Sequence, residues 1–126
     1  MPRLPSLTPL ELEIMHIVWA TDEVSVRAVY ETLRRRRPIA YTTVMTMLAV
    51  LTRKGHVTRR AQGRAYLYRA TKPKRAVVRR LVRDFVDRVF LGAADALVVH
   101  LLESEQLTPA DLDALRRRAR EAEGRK

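Results

Sequence analysis

A mainly α-helical fold with one small β-hairpin is predicted by three features of this sequence. Apolar residues recur at helical spacing in several segments, and Thr-Pro, Pro and Gly separate these segments. Two short β-prone segments, 56–61 and 65–70, flank Gln62-Gly63-Arg64 and are typical of a hairpin. A short helix with a small, hydroxyl-rich exposed side directly precedes the hairpin. Together they predict a winged helix-turn-helix domain, followed by a C-terminal helical dimerisation region.

The first two helices have recognisable starts. Residues 8–11, Thr-Pro-Leu-Glu, form a capping box with proline at the first helical position, and Ile14 follows at core spacing. Ser25 is a candidate cap for a second helix with Val29 on its buried face. Residues 24–26 are also compatible with a short strand, and the sequence leaves this choice open.

The third helix, from about Tyr41 to Lys54, has two chemically different sides. The aliphatic side repeats at i, i+3, i+4 and i+7 and consists of Val44, Met47, Leu48 and Leu51. The opposite side carries Thr42, Thr46, Ala49 and Arg53. A helix that enters a DNA groove needs short side chains for close approach, and hydroxyls or methyls for base edges. Gly55 then ends the helix at a position that often requires a left-handed residue.

The predicted DNA-contacting residues lie on this helix and on the hairpin. They are Tyr41, Thr42, Thr43, Met45, Thr46, Ala49, Arg53, Lys54, Arg59, Arg60 and Arg64. The hydroxyl, methionine and alanine side chains are expected near base edges or nearby phosphates, and the cations near the flanking backbone. The alternative interpretation is an ordinary surface, in which the threonines are merely tolerated, the cations are solvated and Met45 borders the core.

The net charge points to a polyanionic partner. The chain has a formal charge of +11 and a pI near 11.1, and residues 1–73 carry 13 basic and 5 acidic residues. DNA, RNA and an acidic membrane surface fit this charge. No apolar run reaches the ~18 residues of a membrane span, and no signal peptide is expected at the start. Cysteine is absent, which fits a cytoplasmic protein.

The C-terminal part is predicted to be helical and dimeric. A helix is expected over about residues 74–91, residues 93–102 are expected to be buried on all sides, and another helix begins near Thr108. Three such helices expose too much apolar surface for a solitary core, so a second copy is expected to cover it. The predicted domains are 1–72 for DNA binding and 73–126 for dimerisation. The predicted dimerisation residues are Val78, Leu81, Val82, Phe85, Val89, Leu97, Leu101 and Leu112.

Catalytic and metal-binding constellations are not evident. His16, His56 and His100 are isolated from one another, and there is no glycine-rich phosphate loop. A catalytic pairing of Asp84 with Asp87 has no support beyond their spacing. The sequence therefore predicts a protein that is not an enzyme and that uses no cofactor or metal.

Several motifs resemble those of the penicillinase and methicillin-resistance repressors, the BlaI/MecI/CopY type. The resemblance is carried by the segments 7–15 (LTPLELEIM), 18–19, 26–30, 40–46 (AYTTVMT), Leu51, 53–55 and 66–68. It implies a homodimeric winged-helix repressor that binds an operator dyad, with control of β-lactam-resistance or related stress genes. It also implies release through a membrane sensor-protease pathway.

This chain departs from that family pattern at three places. The cleavage dipeptide of the family is Asn-Phe; the matching place is near His100-Leu101, and the chain has no asparagine. It has none of the C-terminal cysteines with which the copper-responsive branch senses metal. Val50 replaces an arginine that many relatives carry.

The predicted function is a sequence-specific homodimeric repressor on a pseudo-palindromic operator. The alternatives are a sequence-indifferent, nucleoid-type DNA binder and a winged helix that contacts an acidic protein.

Overall fold

The computed structural model describes residues 4–124 as six helices and three strands. They are α1 (Pro9–Trp19), β1 (Val24–Ser25), α2 (Val26–Arg34), α3 (Tyr41–Lys54), β2 (Val57–Gln62), β3 (Ala65–Ala70), α4 (Lys74–Val89), α5 (Ala94–Glu103) and α6 (Pro109–Gly124). The mainly α fold class with a small hairpin is confirmed. The chain divides into two compact units, Met1–Val77 and Val78–Lys126. This division falls inside α4, and the predicted functional domains, 1–72 and 73–126, stay a prediction.

Local capping explains where α1 and α2 begin. The Thr8 backbone N–H donates to Glu11 Oε1 at 2.7 Å, and the Glu11 N–H donates to Thr8 Oγ1 at 3.3 Å. This is the predicted capping box, with Pro9 at the first helical position. The Ala28 N–H donates to Ser25 Oγ at 3.1 Å, which confirms Ser25 as the cap of α2.

The three strands form one antiparallel sheet in the order β1-β3-β2. Val24 pairs with Tyr68, so the open choice at residues 24–26 resolves into a two-residue strand that leads directly into α2. Gln62 pairs with Ala65, which leaves Gly63 and Arg64 as a two-residue turn. Gly63 has φ +61°, a conformation that such tight hairpin turns require and that glycine adopts without strain.

The core of the first unit is built around α3. Val44, Leu48 and Leu51 are each 0% exposed and pack in one cluster with buried residues of α1, α2 and the sheet. The helix ends at Gly55, which has φ +87°. The His56 N–H donates to the Leu51 carbonyl at 3.0 Å, and the Gly55 N–H donates to Thr52 at 3.1 Å. This left-handed ending is the predicted one, and it turns the chain into β2.

The second unit buries very little of its own apolar surface. In the described parts of α4, α5 and α6, Val86 is the one buried residue. The prediction that residues 93–102 are buried on all sides was wrong for the single chain, because no residue of α5 is buried and Val99 is 52% exposed. Between α4 and α5, Leu91 has φ +53° and is 91% exposed. Within residues 4–124, no helix is both long and apolar enough to cross a membrane.

Candidate nucleic-acid interface

The exposed side of α3 is the centre of the candidate interface. Thr42, Thr46 and Ala49 are exposed, while Val44 and Leu48 on the opposite side are fully buried. The helix is therefore anchored by its aliphatic side and presents a row of small and hydroxyl side chains, as predicted. Such a row permits the close backbone approach that a groove-binding helix needs.

The first turn of α3 carries larger groups beside the threonines. Tyr41 is 39% exposed and its ring meets the Tyr30 ring edge-on, with centroids 5.4 Å apart. Met45 is 49% exposed, so it belongs to the exposed side and not to the border of the core. Thr43 is also exposed. All three predicted residues therefore lie where a bound polyanion can reach them.

The hairpin, which we call the wing (residues 57–70), presents a stacked arginine. Arg59 pairs across the sheet with Tyr68, and Ala61 pairs with Tyr66, so these residues share one face. The Arg59 guanidinium carbon lies 4.1 Å from the Tyr66 ring centroid. This cation–π contact restrains the guanidinium while leaving its N–H edges free to donate. Arg64, in the turn, is exposed at the tip of the wing.

Arg60 points to the other face of the wing and has an acidic partner. Its Nε and Nη2 donate to the two carboxylate oxygens of Glu23 at 2.6 and 2.8 Å. The hydrogen bonds from Arg60 hold the pKa of Glu23 below its usual value, and Glu23 in turn raises the pKa of Arg60. The Arg60 guanidinium is therefore paired within the chain, and a phosphate would have to displace Glu23 to reach it. The predicted DNA contact of Arg60 stays a prediction.

Lys54 also has partners within the chain. Its Nζ donates to both carboxylate oxygens of Glu11 at 2.8 and 2.9 Å and to the Ser6 carbonyl at 3.1 Å. Glu11 is 1% exposed, so the pair lies at the base of α1 and not on the exposed side of α3. If Lys54 moved away to contact DNA, the buried Glu11 carboxylate would be left without its cation, which would destabilise the fold. The structure therefore holds the partly exposed Lys54 side chain in an ion pair with the buried Glu11 carboxylate.

The arginine run before α3 is partly neutralised. Arg34 Nε donates to Glu31 at 2.7 Å, and Arg37 Nη1 donates to Glu13 at 2.6 Å. Arg35 and Arg36 are exposed in the turn that leads towards α3. The run thus supplies two outward cations near the helix. Its first arginine pairs within α2, and its last attaches the turn after α2 to α1.

The Glu11–Lys54 pair predicts a specific pH dependence of stability. Burial disfavours the Glu11 carboxylate, but hydrogen bonds from Lys54 and the Thr8 backbone outweigh burial and hold its pKa below the ordinary 4.5. A carboxyl group whose pKa is lower in the folded state than in the unfolded state stabilises the fold at any pH above its unfolded-state pKa. This stabilisation is lost as the pH falls through the folded-state pKa. We expect Glu11→Gln to lower the free energy of unfolding near neutral pH, and the difference from the unchanged protein to shrink below about pH 4.

Urea unfolding at a series of pH values measures this difference. Glu13→Gln is the matched control, because Glu13 is on the same helix and its pair with Arg37 is exposed, so its loss should cost under about 1 kcal/mol. A Glu11→Gln difference that stays constant or grows in acid would contradict the assignment.

Comparison with known proteins identifies the family. A family model described as penicillinase repressor matches residues 7–121. The chain belongs to the penicillinase repressor family. It is 35% identical to a transcriptional regulator BlaI of Mycobacterium tuberculosis, over 98% of this chain and 89% of that protein. It is 25% identical to a penicillinase repressor of Bacillus licheniformis, over 100% of this chain and 98% of that one.

A solved structure of a penicillinase repressor is similar to part of this chain. The monomeric form of the Bacillus licheniformis BlaI repressor, in complex with the blaP half-operator, has a TM-score of 0.51 and 26% identity. The match covers 59% of this chain and 90% of that one.

Three contacts of this repressor-family chain were not foreseen from its sequence. They are the ion pairs Glu11–Lys54 and Glu23–Arg60 and the stacking of Arg59 on Tyr66. Side chains alternate along a strand, so the sequence does allow the prediction that Arg59 and Arg60 lie on opposite faces of the wing. No such periodicity links Glu11 to Lys54. Within residues 4–124, no group of three metal-ligating acidic or histidine side chains is brought together.

Proposed function

We propose that this protein is a sequence-specific transcriptional repressor that binds a pseudo-palindromic DNA operator as a homodimer in the cytoplasm. The two-sided character of α3 is the observation that carries the proposal. Val44, Leu48 and Leu51 on its aliphatic side are fully buried, and its threonine side is exposed. A surface helix of an ordinary domain carries longer charged side chains on its exposed side, whereas a helix that lies in the major groove requires short ones.

The threonine side of α3 would read base edges in the major groove. Thr42 and Thr46 are one turn apart, and Ala49 extends the row, so their hydroxyls and methyl groups face the same base pairs. Arg53 at the end of α3 and Arg59 and Arg64 on the wing would meet the phosphates on either side. The penicillinase-repressor relative solved with its half-operator is similar to 59% of this chain, which supports the proposal.

The homodimer is supported by the uncovered apolar face of α4. Val82, Phe85 and Val89 recur at helical spacing and are 51%, 44% and 57% exposed. A monomeric soluble protein rarely leaves such a row open to water. A second copy with the same face would cover it by two-fold symmetry, and two symmetric reading heads require a pseudo-palindromic operator.

Selection of bound duplexes from a random library is the most direct test. A sequence-specific repressor should select one motif with dyad symmetry and should prefer it over scrambled duplex by about a thousandfold or more. Comparable affinity for scrambled duplex would favour the nucleoid-type alternative. Steep salt dependence alone does not separate the two, because both would contact phosphates.

Alanine at Thr42 and Thr46 tests the reading surface itself. Each lost hydrogen bond costs roughly 1 kcal/mol, so we expect the double variant to bind the selected operator at least tenfold more weakly. Stability should hold or rise, because alanine is the better helix former. Thr32→Ala is the control, since Thr32 is on α2 and its hydroxyl donates to the Ala28 carbonyl. Unchanged operator affinity and specificity in the double variant would favour the protein-contact alternative.

Release by a sensor-protease pathway remains a prediction from the family resemblance. The place that matches the cleavage position, His100-Leu101, lies inside α5. Proteases cleave locally opened chain, so α5 would have to unfold there before it could be cut.

A further inference from the structure

The residues before α1 form a strap across the end of α3. The strap, residues 4–6, contacts each of the three residues that terminate the helix. His56 Nε2 donates to the Pro5 carbonyl at 2.6 Å, and Lys54 Nζ donates to the Ser6 carbonyl at 3.1 Å. A Cβ on Gly55 would lie 3.1 Å from Leu4 Cδ2, so the strap passes closely over the glycine.

A buried carboxylate on α1 holds the lysine that contacts the strap. Glu11 accepts from Lys54 Nζ with both oxygens and from the Thr8 backbone N–H at 2.7 Å. Glu11 is 1% exposed and the Lys54 side chain is 24% exposed, so water screens the pair weakly. Removing either partner leaves an uncompensated charge in a low-dielectric site.

The same place is also tied to the end of the wing. The Thr71 hydroxyl donates to the Gly55 carbonyl at 2.7 Å, and the Thr71 N–H donates to the His56 carbonyl at 3.1 Å. Residues 54–56 therefore meet the strap, α1 and the segment after β3. The orientation of α3 and of the wing root is set where these elements join.

We infer that Lys54 is a positioning residue for DNA binding, which acts through Glu11 to hold the C-terminal end of α3 and the root of the wing. This inference rests on the proposed repressor function. A salt bridge that anchors a reading helix affects every contact the helix makes, although it touches no DNA itself. A misplacement of about 1 Å in a reading element is enough to lose well-aligned contacts.

Salt dependence distinguishes a positioning lysine from a phosphate-contacting one. Each phosphate contact adds about 0.9 to the slope of log affinity against log salt. Arg53→Met, one residue earlier and exposed, removes a proposed phosphate contact and should lower the slope by about that amount. Lys54→Met should leave the slope unchanged and should lower affinity for the selected operator about tenfold, the size of one charge-assisted hydrogen bond. Its affinity for scrambled duplex should change little.

Glu11→Gln distinguishes a positioning role of the ion pair from an effect of long-range charge. Removing a negative charge would strengthen DNA binding if only long-range charge mattered, yet we expect it to weaken operator binding about as much as Lys54→Met does. The double variant should be no weaker than either single variant, because both remove one shared interaction. Lys54→Arg should restore much of the affinity by keeping a cation opposite Glu11. The inference would be overturned if Lys54→Met lowered the slope of log affinity against log salt by about 0.9 and Glu11→Gln left operator binding unchanged.

Hydrogen exchange without DNA keeps this inference separable from the proposed function. Lys54→Met and Glu11→Gln should both speed exchange of the Gly55, His56 and Thr71 amides, whereas Arg53→Met should not. Unchanged exchange in both variants would refute the positioning role even if operator binding is as proposed. A protein that selects no DNA motif but shows the expected exchange pattern would refute the repressor function alone and leave the structural role of the pair in place.

Discussion

Phe85→Glu should convert the protein into a monomer and lower its affinity for a full operator at least about a hundredfold. Phe85 lies centrally in the uncovered apolar face of α4, and it is 44% exposed in the single chain. In a dimer the carboxylate would be buried without a partner, which costs several kcal/mol. Loss of the second reading head also removes the effective concentration that links two half-sites, an effect of roughly 10²–10⁴.

Light scattering at micromolar concentration and titration of full and half operators measure this prediction. Half-operator affinity should be nearly unchanged, because α3 and the wing are not altered. Arg83→Gln is a control on the same helix that makes the same change in net charge, at an exposed polar position. A Phe85→Glu variant that stays dimeric would refute this interface, and a monomeric unchanged protein would remove the basis for a two-headed operator.

Leu48→Ala should destabilise the protein by about 3 kcal/mol, within the usual 2–5 kcal/mol for a buried leucine. Leu48 is 0% exposed at the centre of the core and anchors the aliphatic side of α3. Because small domains have total stabilities of only about 5–15 kcal/mol, a loss of this size removes much of the margin. Urea unfolding monitored by circular dichroism gives the difference directly.

Met45→Ala is the matched comparison on the opposite side of the same helix. Met45 is 49% exposed, so its truncation should change stability by less than about 0.5 kcal/mol. It should weaken operator binding instead, if the exposed side of α3 contacts DNA. Equal losses of stability in the two variants would contradict the division of α3 into an anchoring side and a reading side.

Much of the first unit was predictable because its determinants are local. The capping box at Thr8, the cap at Ser25 and the helix-ending Gly55 each act within a few residues, and all three are found as predicted. The bounds of α3 follow from the spacing of its aliphatic residues, which also indicates which side is buried. The hairpin follows from two β-prone segments around a tight turn.

Burial in the second unit was not predictable in the same way. Periodicity shows that a helix has apolar residues, but burial depends on what lies against them. Residues 93–102 are nearly all apolar and were expected to be enclosed, yet no residue of α5 is buried in the single chain. A pattern of apolar residues is the same whether the covering surface comes from the same chain or from another.

The sequence by itself determined the helices, their caps, the hairpin and the two-sided character of α3, because each depends on residues within one or two turns of each other. Only the tertiary structure decided the partners of the charged residues. Lys54 meets Glu11 across 43 positions, and Arg60 meets Glu23 across 37. Their neighbours Arg53 and Arg59 look equivalent in the sequence, yet Arg53 is exposed at the end of α3 and Arg59 stacks on Tyr66. Pairing between distant charges depends on where the backbone brings them, and no local pattern carries that information.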